Sequence, residues 1–360
     1  MTFAFAAAGT GGHVYPALSV ADALVVAGVD RSDIVFFGGG RMEATTVPEA
    51  GYRFVGVEIR GLQRSLSPRN VTLPAVVVRA SRQMADTMRE ANTQVVTVFG
   101  GYVSVPAGFA ANRVGASLFL HEQNAVPGLA NRLLSRRARV CFVAFPNTAA
   151  RLARSVVVGN PIREVFREFD RDVQRSDARK RYDIPADVTV LGVIGGSLGA
   201  NVLNDVTVRI ADDADPARLA ILHLTGTAHH DAVAADAVRA GVTWRTIPFE
   251  TEMQLFYAAV DLVLGRAGAL TISELAITGT PAVVVPLAAV AQEGNADYLA
   301  SAGGVVVVPQ SEIDRVPIEV EQLVVDPERR ARMATVNRSL AMPDAARSIA
   351  TRLLEEARRA

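Results

Sequence analysis

The chain has 360 residues, of which 50% are hydrophobic, and its 37 basic side chains are balanced by 37 acidic ones. This length predicts two domains rather than one core. The zero net charge excludes a global field that attracts nucleic acid, so we expect no nucleic-acid partner. The single cysteine, Cys141, excludes a disulfide framework and indicates a reducing cytoplasm. The histidines show no metal-ligand spacing and no apolar run reaches membrane length, so we expect a soluble or peripheral protein without a metal.

A glycine loop at residues 8–13 follows an apolar strand at 3–7 and precedes a helix that we predict to begin at Tyr15. Glycines let the backbone approach a ligand, and the unpaired N–H groups of a helix start attract anions. The loop therefore predicts phosphate binding, with a ligand-free glycine turn as the alternative. Val14 stands where a dinucleotide fingerprint needs its third glycine, which excludes that motif. His13 is placed either to cap the helix or to act as a base near neutral pH.

Strand and helix patterns alternate along the rest of the first half and begin again in the second. In the first half, strands are predicted at residues 34–37, 55–59, 94–99, 117–120 and 155–158, and helices at 73–91 and from about 106. In the second half, a strand at 188–194, a glycine turn at 195–200 and a helix from 201 are followed by strands at 220–224, 261–264 and 282–285 and helices at 327–339 and 344–359.

This alternation predicts an α/β fold with a doubly wound parallel sheet in each half, and such sheets bind ligands at the carboxyl ends of their strands. We place the domain boundary near residue 160, which gives domains at 1–160 and 161–342. We expect the last helix, within 343–360, to pack back on the first domain.

Several polar side chains in the second half are candidates for ligand contact. Glu274 follows a glycine turn and is suited to accept hydrogen bonds from two ribose hydroxyls, but Thr271 three residues earlier also completes a capping-box pattern. Taken alone, the pattern favours the capping box. Ser197 is suited to donate to a phosphate oxygen, or is part of a structural turn. Gln292 and Asn295 are suited to read sugar hydroxyls, or cap a helix.

A polar sequence also ends the strand predicted at residues 117–120. His121 and Glu122 are expected to form a buried polar network. Asn124 lies just beyond them and is the better candidate for ligand contact.

Six motifs in this order closely resemble those of the MurG-type enzymes, the UDP-N-acetylglucosamine:lipid I N-acetylglucosaminyltransferases of bacterial peptidoglycan synthesis. The motifs lie at residues 9–18, 100–104, 121–124, 159–163, 195–200 and 266–274. The resemblance implies a GT-B fold, in which two Rossmann-like domains face each other across a cleft. It also implies that the first domain serves the acceptor and the membrane, that the second holds the UDP-sugar, and that no metal or other cofactor is needed.

The resemblance further implies roles for individual residues. His13 would be the general base that takes the proton from the 4-hydroxyl of the acceptor sugar in lipid I, so that single displacement inverts the α-linked donor and yields lipid II. The residues implied in substrate binding are Thr10, Gly11, Gly12, Asn124, Arg163, Gly196, Ser197, Gly199, Phe249, Glu250, Ala269, Leu270, Thr271, Glu274, Gln292 and Asn295.

Within that set, the resemblance assigns different parts of the donor UDP-GlcNAc to different residues. Glu274 would bind the ribose, and main-chain groups at 249–250 would read uracil. The turn at 196–200, with Arg163 nearby, would hold the diphosphate. The amides that would contact N-acetylglucosamine are Gln292, Asn295 and Asn124.

The chain departs from the family pattern at Ala7 and Ala8, at Leu198, and most clearly at residues 288–291, where an alanine-rich run replaces polar residues near the expected sugar site. One alternative is therefore a divergent GT-B glycosyltransferase with another UDP-sugar or with a lipid or natural-product acceptor. A sugar-nucleotide epimerase, which shares the two-domain architecture, is a second. A nucleotide-sugar-binding protein that has lost catalysis is a third.

A basic and apolar segment in the first half predicts membrane contact. Basic side chains around an apolar stripe dock on anionic lipid, or else belong to a packed helix with solvated arginines. With the resemblance, we expect peripheral association with the cytoplasmic face of the cell membrane. The basic residues are Arg64, Arg69, Arg79 and Arg82, and the apolar ones are Leu73, Val76, Val77 and Val78.

Overall fold

The computed structural model describes residues 1–59, 73–196, 199–287 and 292–359. The chain forms two compact units. Unit 1 contains Met1–Arg163 together with the C-terminal segment from Pro343, and unit 2 contains Glu164–Met342. Each unit is built on its own all-parallel sheet, which confirms the predicted fold class of two doubly wound α/β halves.

Within the described residues, the sheet of unit 1 has seven strands. They are β1 (Thr2–Ala6), β2 (Ile34–Gly38), β3 (Arg53–Gly56), β4 (Thr93–Val98), β5 (Ser117–Glu122), β6 (Val140–Val143) and β7 (Ser155–Val157). Their order in the sheet is β3-β2-β1-β4-β5-β6-β7. The strand predicted at 55–59 begins and ends earlier, because β3 pairs with β2 in a register that aligns Gly56 with Gly38.

The helices of unit 1 are α1 (Gly11–Val26), α2 (Glu43–Glu49), α3 (Leu73–Glu90), α4 (Ser104–Val114), α5 (Leu129–Leu134), α6 (Pro146–Ala149) and, from the end of the chain, α15 (Ala345–Ala357). The prediction that the first helix begins at Tyr15 is wrong, because α1 begins four residues earlier and continues through Pro16. His13 therefore lies in the first helical turn rather than in the preceding loop.

The inner strands β1, β2, β4 and β5 of unit 1 are buried on both faces, as parallel strands are, whereas the edge strands β3 and β7 are partly exposed. Along β1, Phe3 and Phe5 point into one apolar cluster and Ala4 and Ala6 into another, since successive side chains alternate between the faces of a sheet. α15 packs on the face of the sheet that bears Phe3 and Phe5, since Leu353 is fully buried in the same cluster as residues of α1. The C-terminal helix is thus an integral part of the core of unit 1.

The sheet of unit 2 has six strands in the part of the chain that the structure describes. They are β8 (Thr189–Ile194), β9 (Leu219–Leu224), β10 (Thr243–Ile247), β11 (Leu262–Gly265), β12 (Ala282–Val284) and β13 (Val305–Val307), in the order β10-β9-β8-β11-β12-β13. The helices are α7 (Arg171–Arg181), α8 (Asn201–Asp213), α9 (His230–Arg239), α10 (Met253–Ala259), α11 (Ala269–Thr278), α12 (Glu293–Ala300), α13 (Val316–Val325) and α14 (Pro327–Ser339).

The strand order of each sheet reverses once, between β1 and β4 in unit 1 and between β8 and β11 in unit 2. At such a switch point the connections leave toward opposite faces, and a crevice opens at the carboxyl ends of the two strands. The glycine loops that follow β1 and β8 lie at these two points. No helix in the described ranges is long and apolar enough to cross a membrane.

Candidate functional site

His13 lies at the switch point of unit 1. Thr10 is the N-cap of α1, and its hydroxyl lies 3.2 Å from Nδ1 of His13. The other edge of the imidazole lies against Gly100, in the loop after β4: a Cβ atom added there would be 3.1 Å from Nε2 of His13. Gly100 also has a φ of +90°, so both its backbone and the ring beside it favour glycine. The first and fourth strands therefore bring their loops together at His13.

The environment of His13 keeps its imidazole neutral. Burial lowers the pKa of His13, and the negative charge of Glu43 raises it by less. A neutral imidazole has one nitrogen that accepts a proton. If Nδ1 carries the hydrogen and donates it to the Thr10 hydroxyl oxygen, Nε2 is the accepting nitrogen. This arrangement is that of a base oriented by a neighbouring hydroxyl.

Glu43 is a residue that the sequence analysis missed. It lies in α2 and is fully buried. Its Oε1 accepts a hydrogen bond from the Gly39 amide at 3.0 Å and one from the Tyr102 hydroxyl at 3.3 Å, and its Oε2 accepts one from the Gly9 amide at 3.3 Å. The sequence contains a pattern that could have indicated this contact: three consecutive glycines, at 38–40, follow a predicted strand, and the glutamate comes three residues later.

A polar network lies next to His13 at the end of β5, as expected. Glu122 accepts hydrogen bonds from the Gly128 amide, the Asn131 side chain and the Asn124 amide, each at 2.9 Å. The Asn131 side chain also lies beside Gly100, so a series of contacts joins His13 to Asn124. Asn124 is half-buried, and its side-chain amide lies 3.4 Å from Glu122 Oε1.

His121, the other member of this network, is structural. Its Nε2 lies 3.1 Å from the carbonyl oxygen of Gly159 and donates to it, and burial lowers the pKa of His121 to about 4. The side chain is therefore neutral near pH 7. Arg163, assigned to the diphosphate by the resemblance, is half-buried at the end of unit 1.

The glycine turn after β8 has a backbone that only glycine adopts without strain. Gly196 and Gly199 have φ values of +86° and +74°, and a Cβ atom on Gly195 would lie 2.5 Å from the Ala200 nitrogen. The turn closes with a hydrogen bond of 2.9 Å from the Gly199 amide to the Gly196 carbonyl, and α8 begins directly after it. Ser197 and Leu198 lie outside the described residues.

The capping-box interpretation of Thr271 and Glu274 is wrong. Gly268 is the N-cap of α11, so Thr271 is the third residue of the helix and Glu274 lies in its second turn. The Glu274 side chain is half-buried, and its Oε2 accepts a hydrogen bond of 3.0 Å from the hydroxyl of Tyr257. Tyr257, which is fully buried in α10, was also missed by the sequence analysis. Ala269 is buried, whereas Leu270 and Thr271 are partly exposed.

The two amides assigned to sugar recognition make contacts within unit 2. Asn295 is 1% exposed, and its Nδ2 donates to the Ala267 carbonyl at 3.1 Å. Oε1 of Gln292 accepts a hydrogen bond of 3.0 Å from the Leu287 amide. Both side chains therefore hold loops at the carboxyl end of the sheet. The alanine-rich run at 288–291 lies outside the described residues.

The turn at Phe249 and Glu250 precedes α10. Phe249 is 49% exposed, whereas Glu250 is buried. The Glu250 carboxylate accepts hydrogen bonds of 2.7 Å from the Tyr182 hydroxyl and from the Glu252 amide. Its side chain thus stabilises the turn.

The basic helix of unit 1, α3, has one face in the core and one exposed. Ala80, Met84 and Met88 are buried, whereas Arg79 and Arg82 are exposed. Val78 is exposed, and Val76 and Val77 are partly so. Arg64, Arg69 and the side chain of Leu73 lie outside the described residues.

Two family models match this chain. The glycosyltransferase family 28 N-terminal domain matches residues 3–143, and the family 28 C-terminal domain matches residues 190–349. Each match covers the switch point of one sheet. The two sheets and their glycine loops therefore define a two-domain glycosyltransferase of the GT-B class.

Comparison with individual proteins identifies the family within this class. The UDP-N-acetylglucosamine--N-acetylmuramyl-(pentapeptide) pyrophosphoryl-undecaprenol N-acetylglucosamine transferase of Acidithiobacillus ferrooxidans is 40% identical over 357 residues, which cover 97% of this chain and 96% of that relative. The crystal structure of MurG from Acinetobacter baumannii matches with a TM-score of 0.77 and 30% identity, over 99% of this chain and 100% of that one. The chain belongs to the MurG family.

The same architecture occurs outside that family. The UDP-GlcNAc 2-epimerase of Neisseria meningitidis matches with a TM-score of 0.70 over 99% of this chain and 100% of that one, but at 13% identity. That likeness is one of fold alone.

Proposed function

We propose that this protein is an inverting glycosyltransferase that moves N-acetylglucosamine from UDP-GlcNAc to the 4-hydroxyl of MurNAc in lipid I, forming lipid II for peptidoglycan synthesis. The observation that carries the proposal is the position of His13 at the switch point of a family 28 N-terminal domain, with the Thr10 hydroxyl 3.2 Å from its Nδ1. The name of the relative that is 40% identical identifies the donor and the acceptor of the proposed reaction.

In the proposed reaction, Nε2 of His13 takes the proton of the acceptor hydroxyl while its oxygen forms a bond to C1 of N-acetylglucosamine. The bond between C1 and the diphosphate oxygen breaks, and UDP leaves with the bonding electrons, so an α-linked donor yields a β-1,4 linkage. The departing diphosphate gains negative charge. Backbone N–H groups at a glycine turn and helix start stabilise such charge, and the turn before α8 supplies them.

We assign most of the donor contacts to unit 2 and the acceptor to unit 1. Glu274, held by Tyr257, accepts hydrogen bonds from the ribose hydroxyls. Main-chain groups at 249–250 read uracil, and the first turn of α11 (Ala269, Leu270 and Thr271) lies against the donor. The diphosphate is bound by Gly196, Ser197, Gly199 and Arg163, and the sugar by Gln292, Asn295 and Asn124. Thr10, Gly11 and Gly12 form the helix start beside the acceptor.

A different donor sugar is the second candidate, and two observations favour testing it. Residues 288–291 are apolar where the family pattern is polar. In addition, the amides of Asn295 and Gln292 are engaged by Ala267 and Leu287. Both observations concern residues expected to select the sugar, and neither concerns the residues expected to bind UDP.

The experiment that tests the function is calorimetric titration of the purified protein with UDP-GlcNAc, UDP-glucose and UDP, followed by transfer to a lipid I analogue. We expect the N-acetyl sugar to bind more tightly than glucose and to be transferred. UDP binding without that preference, or without transfer, would assign the protein to a divergent branch with another donor or acceptor. Interconversion of UDP-GlcNAc with its 2-epimer would identify an epimerase instead.

We also propose that unit 1 docks peripherally on the cytoplasmic face of the cell membrane through α3. Support comes from the exposed Arg79 and Arg82, which lie beside the exposed Val78 and the partly exposed Val76 and Val77. We expect the protein to sediment with vesicles rich in phosphatidylglycerol. The double variant that combines Arg79→Glu and Arg82→Glu should bind these vesicles more weakly. The control is Arg89→Glu, at the far end of the same helix. Equal sedimentation of all three proteins would contradict the proposal.

A further inference from the structure

Glu43 is a charged side chain in a place that shields it from solvent. A carboxylate that is 0% exposed loses its hydration, which is costly unless donors replace the lost water. Three donors do so here, from Gly9, Gly39 and Tyr102. They belong to the loops after β1, β2 and β4, so one carboxylate joins three separate segments of unit 1.

The end of β2 and the loop after it leave room for this carboxylate. A Cβ atom on Gly38 would lie 2.7 Å from Cγ of Glu43, and one on Gly39 would lie 3.1 Å from its Oε1 and overlap the Tyr102 hydroxyl. Gly40, the next residue, has nothing within 4 Å of such an atom. The two glycines that contact Glu43 are therefore the ones at which any side chain would displace it.

Packing alone does not explain a charge at this position. α2 already anchors itself through Val47, which is 1% exposed within the apolar core. An apolar side chain at position 43 would extend that contact without a desolvation cost. The carboxylate instead accepts hydrogen bonds from two loops that lie next to the imidazole of His13. Gly9 belongs to the loop that precedes His13, and Tyr102 belongs to the loop that contains Gly100.

Two titratable groups near this pair, Tyr102 and His121, are uncharged near pH 7. Burial, followed by the charge of Glu43, raises the pKa of Tyr102, so its phenol stays protonated. Burial lowers the pKa of His121 to about 4, so it stays neutral. Arg41 is exposed and acts on Tyr102. The negative charge of Glu43 therefore acts on His13 without an added charge from Tyr102 or His121.

We infer that Glu43 is a positioning residue for the base. Its carboxylate holds the loops after β1, β2 and β4 in the arrangement that presents Nε2 of His13, and its charge stabilises the imidazolium that forms when His13 takes a proton. This inference deepens the proposed function and rests on it, because it assumes that His13 is the base.

The test compares Glu43→Gln with Glu49→Gln, which removes the same charge from an exposed position of the same helix. The pKa of His13 is measured from its imidazole NMR signals, and kcat and KM are measured against pH with UDP-GlcNAc and a lipid I analogue. In Glu43→Gln we expect a lower pKa of His13 and an acid limb of kcat/KM moved to lower pH. We also expect kcat to fall on the order of 10- to 100-fold, with KM for UDP-GlcNAc nearly unchanged. Glu49→Gln should match the wild type.

The outcomes separate this inference from the proposed function. An unchanged pKa of His13 in folded Glu43→Gln overturns the inference. A lowered pKa with an unmoved acid limb supports the effect of the carboxylate on the imidazole and rejects His13 as the base. If Glu43→Gln does not fold, Glu43→Asp keeps the charge but withdraws it by one methylene, and wild-type kcat in that variant overturns the positioning role.

Discussion

At the scale of the residue, the candidate site of unit 1 is centred on one imidazole, and its surroundings set the orientation and the protonation state of that ring. Thr10 lies beside Nδ1 of His13, and burial keeps the ring neutral. In unit 2, the Tyr257 hydroxyl orients the carboxylate of Glu274 in the same manner. In both units a second polar side chain lies beside the group proposed to act on the substrate: in unit 1 it is the N-cap of the same helix, and in unit 2 it comes from α10.

Replacing His13 with Ala removes the proposed base and should lower kcat for transfer by about 10²- to 10⁴-fold, which is the usual contribution of a general base. UDP binding should be unchanged, since His13 is not among its proposed ligands, most of which lie in unit 2. Steady-state kinetics with a lipid I analogue and calorimetry with UDP measure the two effects. Turnover equal to that of the wild type would eliminate His13 as the base.

Tyr257→Phe removes one hydroxyl and keeps the buried ring, which packs edge-on against Phe166. Loss of the hydrogen bond to Glu274 should weaken UDP binding about fivefold, the equivalent of about 1 kcal/mol. Tyr298→Phe is the control, because its hydroxyl donates to the Leu340 carbonyl in the same unit. Equal dissociation constants for UDP in both variants would show that Tyr257 does not orient Glu274.

At the scale of the element, short loops at the carboxyl ends of the strands carry the site. Their backbone conformations are demanding: Gly100, Gly196 and Gly199 have φ values of +90°, +86° and +74°. The loop after β2 demands space rather than a special φ, because Glu43 and Tyr102 occupy the room beside Gly39. Glycine therefore serves two different physical purposes in these loops.

Gly39→Ala and Gly40→Ala form a matched pair within one loop. The methyl group at position 39 would meet Glu43 and Tyr102, so we expect a loss of about 1–3 kcal/mol in the free energy of unfolding, together with reduced turnover. The methyl group at position 40 meets open space, so its effect should stay within about 0.5 kcal/mol. Denaturant unfolding measures both variants. Equal midpoints would contradict the described packing around Glu43.

At the scale of the whole molecule, each of the two units has its own sheet, its own core and its own buried neutral histidine. In unit 1 burial lowers the pKa of His121 to about 4, and in unit 2 burial lowers the pKa of His223 to about 3. Both groups take up a proton more readily in the unfolded chain, where the usual pKa is about 6.5. Both units should therefore be sensitive to acid.

The sign of this effect follows from proton binding. Between pH 6.5 and about 4 the unfolded chain binds more protons than the folded one, so stability falls as the pH falls. The free energy of unfolding, measured from pH 7.5 to 4.5, should therefore decrease on acidification. His223→Gln should reduce the slope by up to about 1.4 kcal/mol per pH unit for that one proton. An unaltered slope in this variant would show that His223 does not contribute.

The sequence by itself determined the two α/β halves, most strand positions and the family, because apolar periodicity and glycine turns are local patterns. The tertiary structure decided which loops meet. Gly100 reaches His13 because the sheet places β4 beside β1, although 87 residues separate the two along the chain. It also showed that Glu274 lies one turn too late for a capping box, and that Glu43 is buried beneath the site. Those facts depend on strand order, register and helix starts, which arise from packing across the whole unit rather than from any single segment.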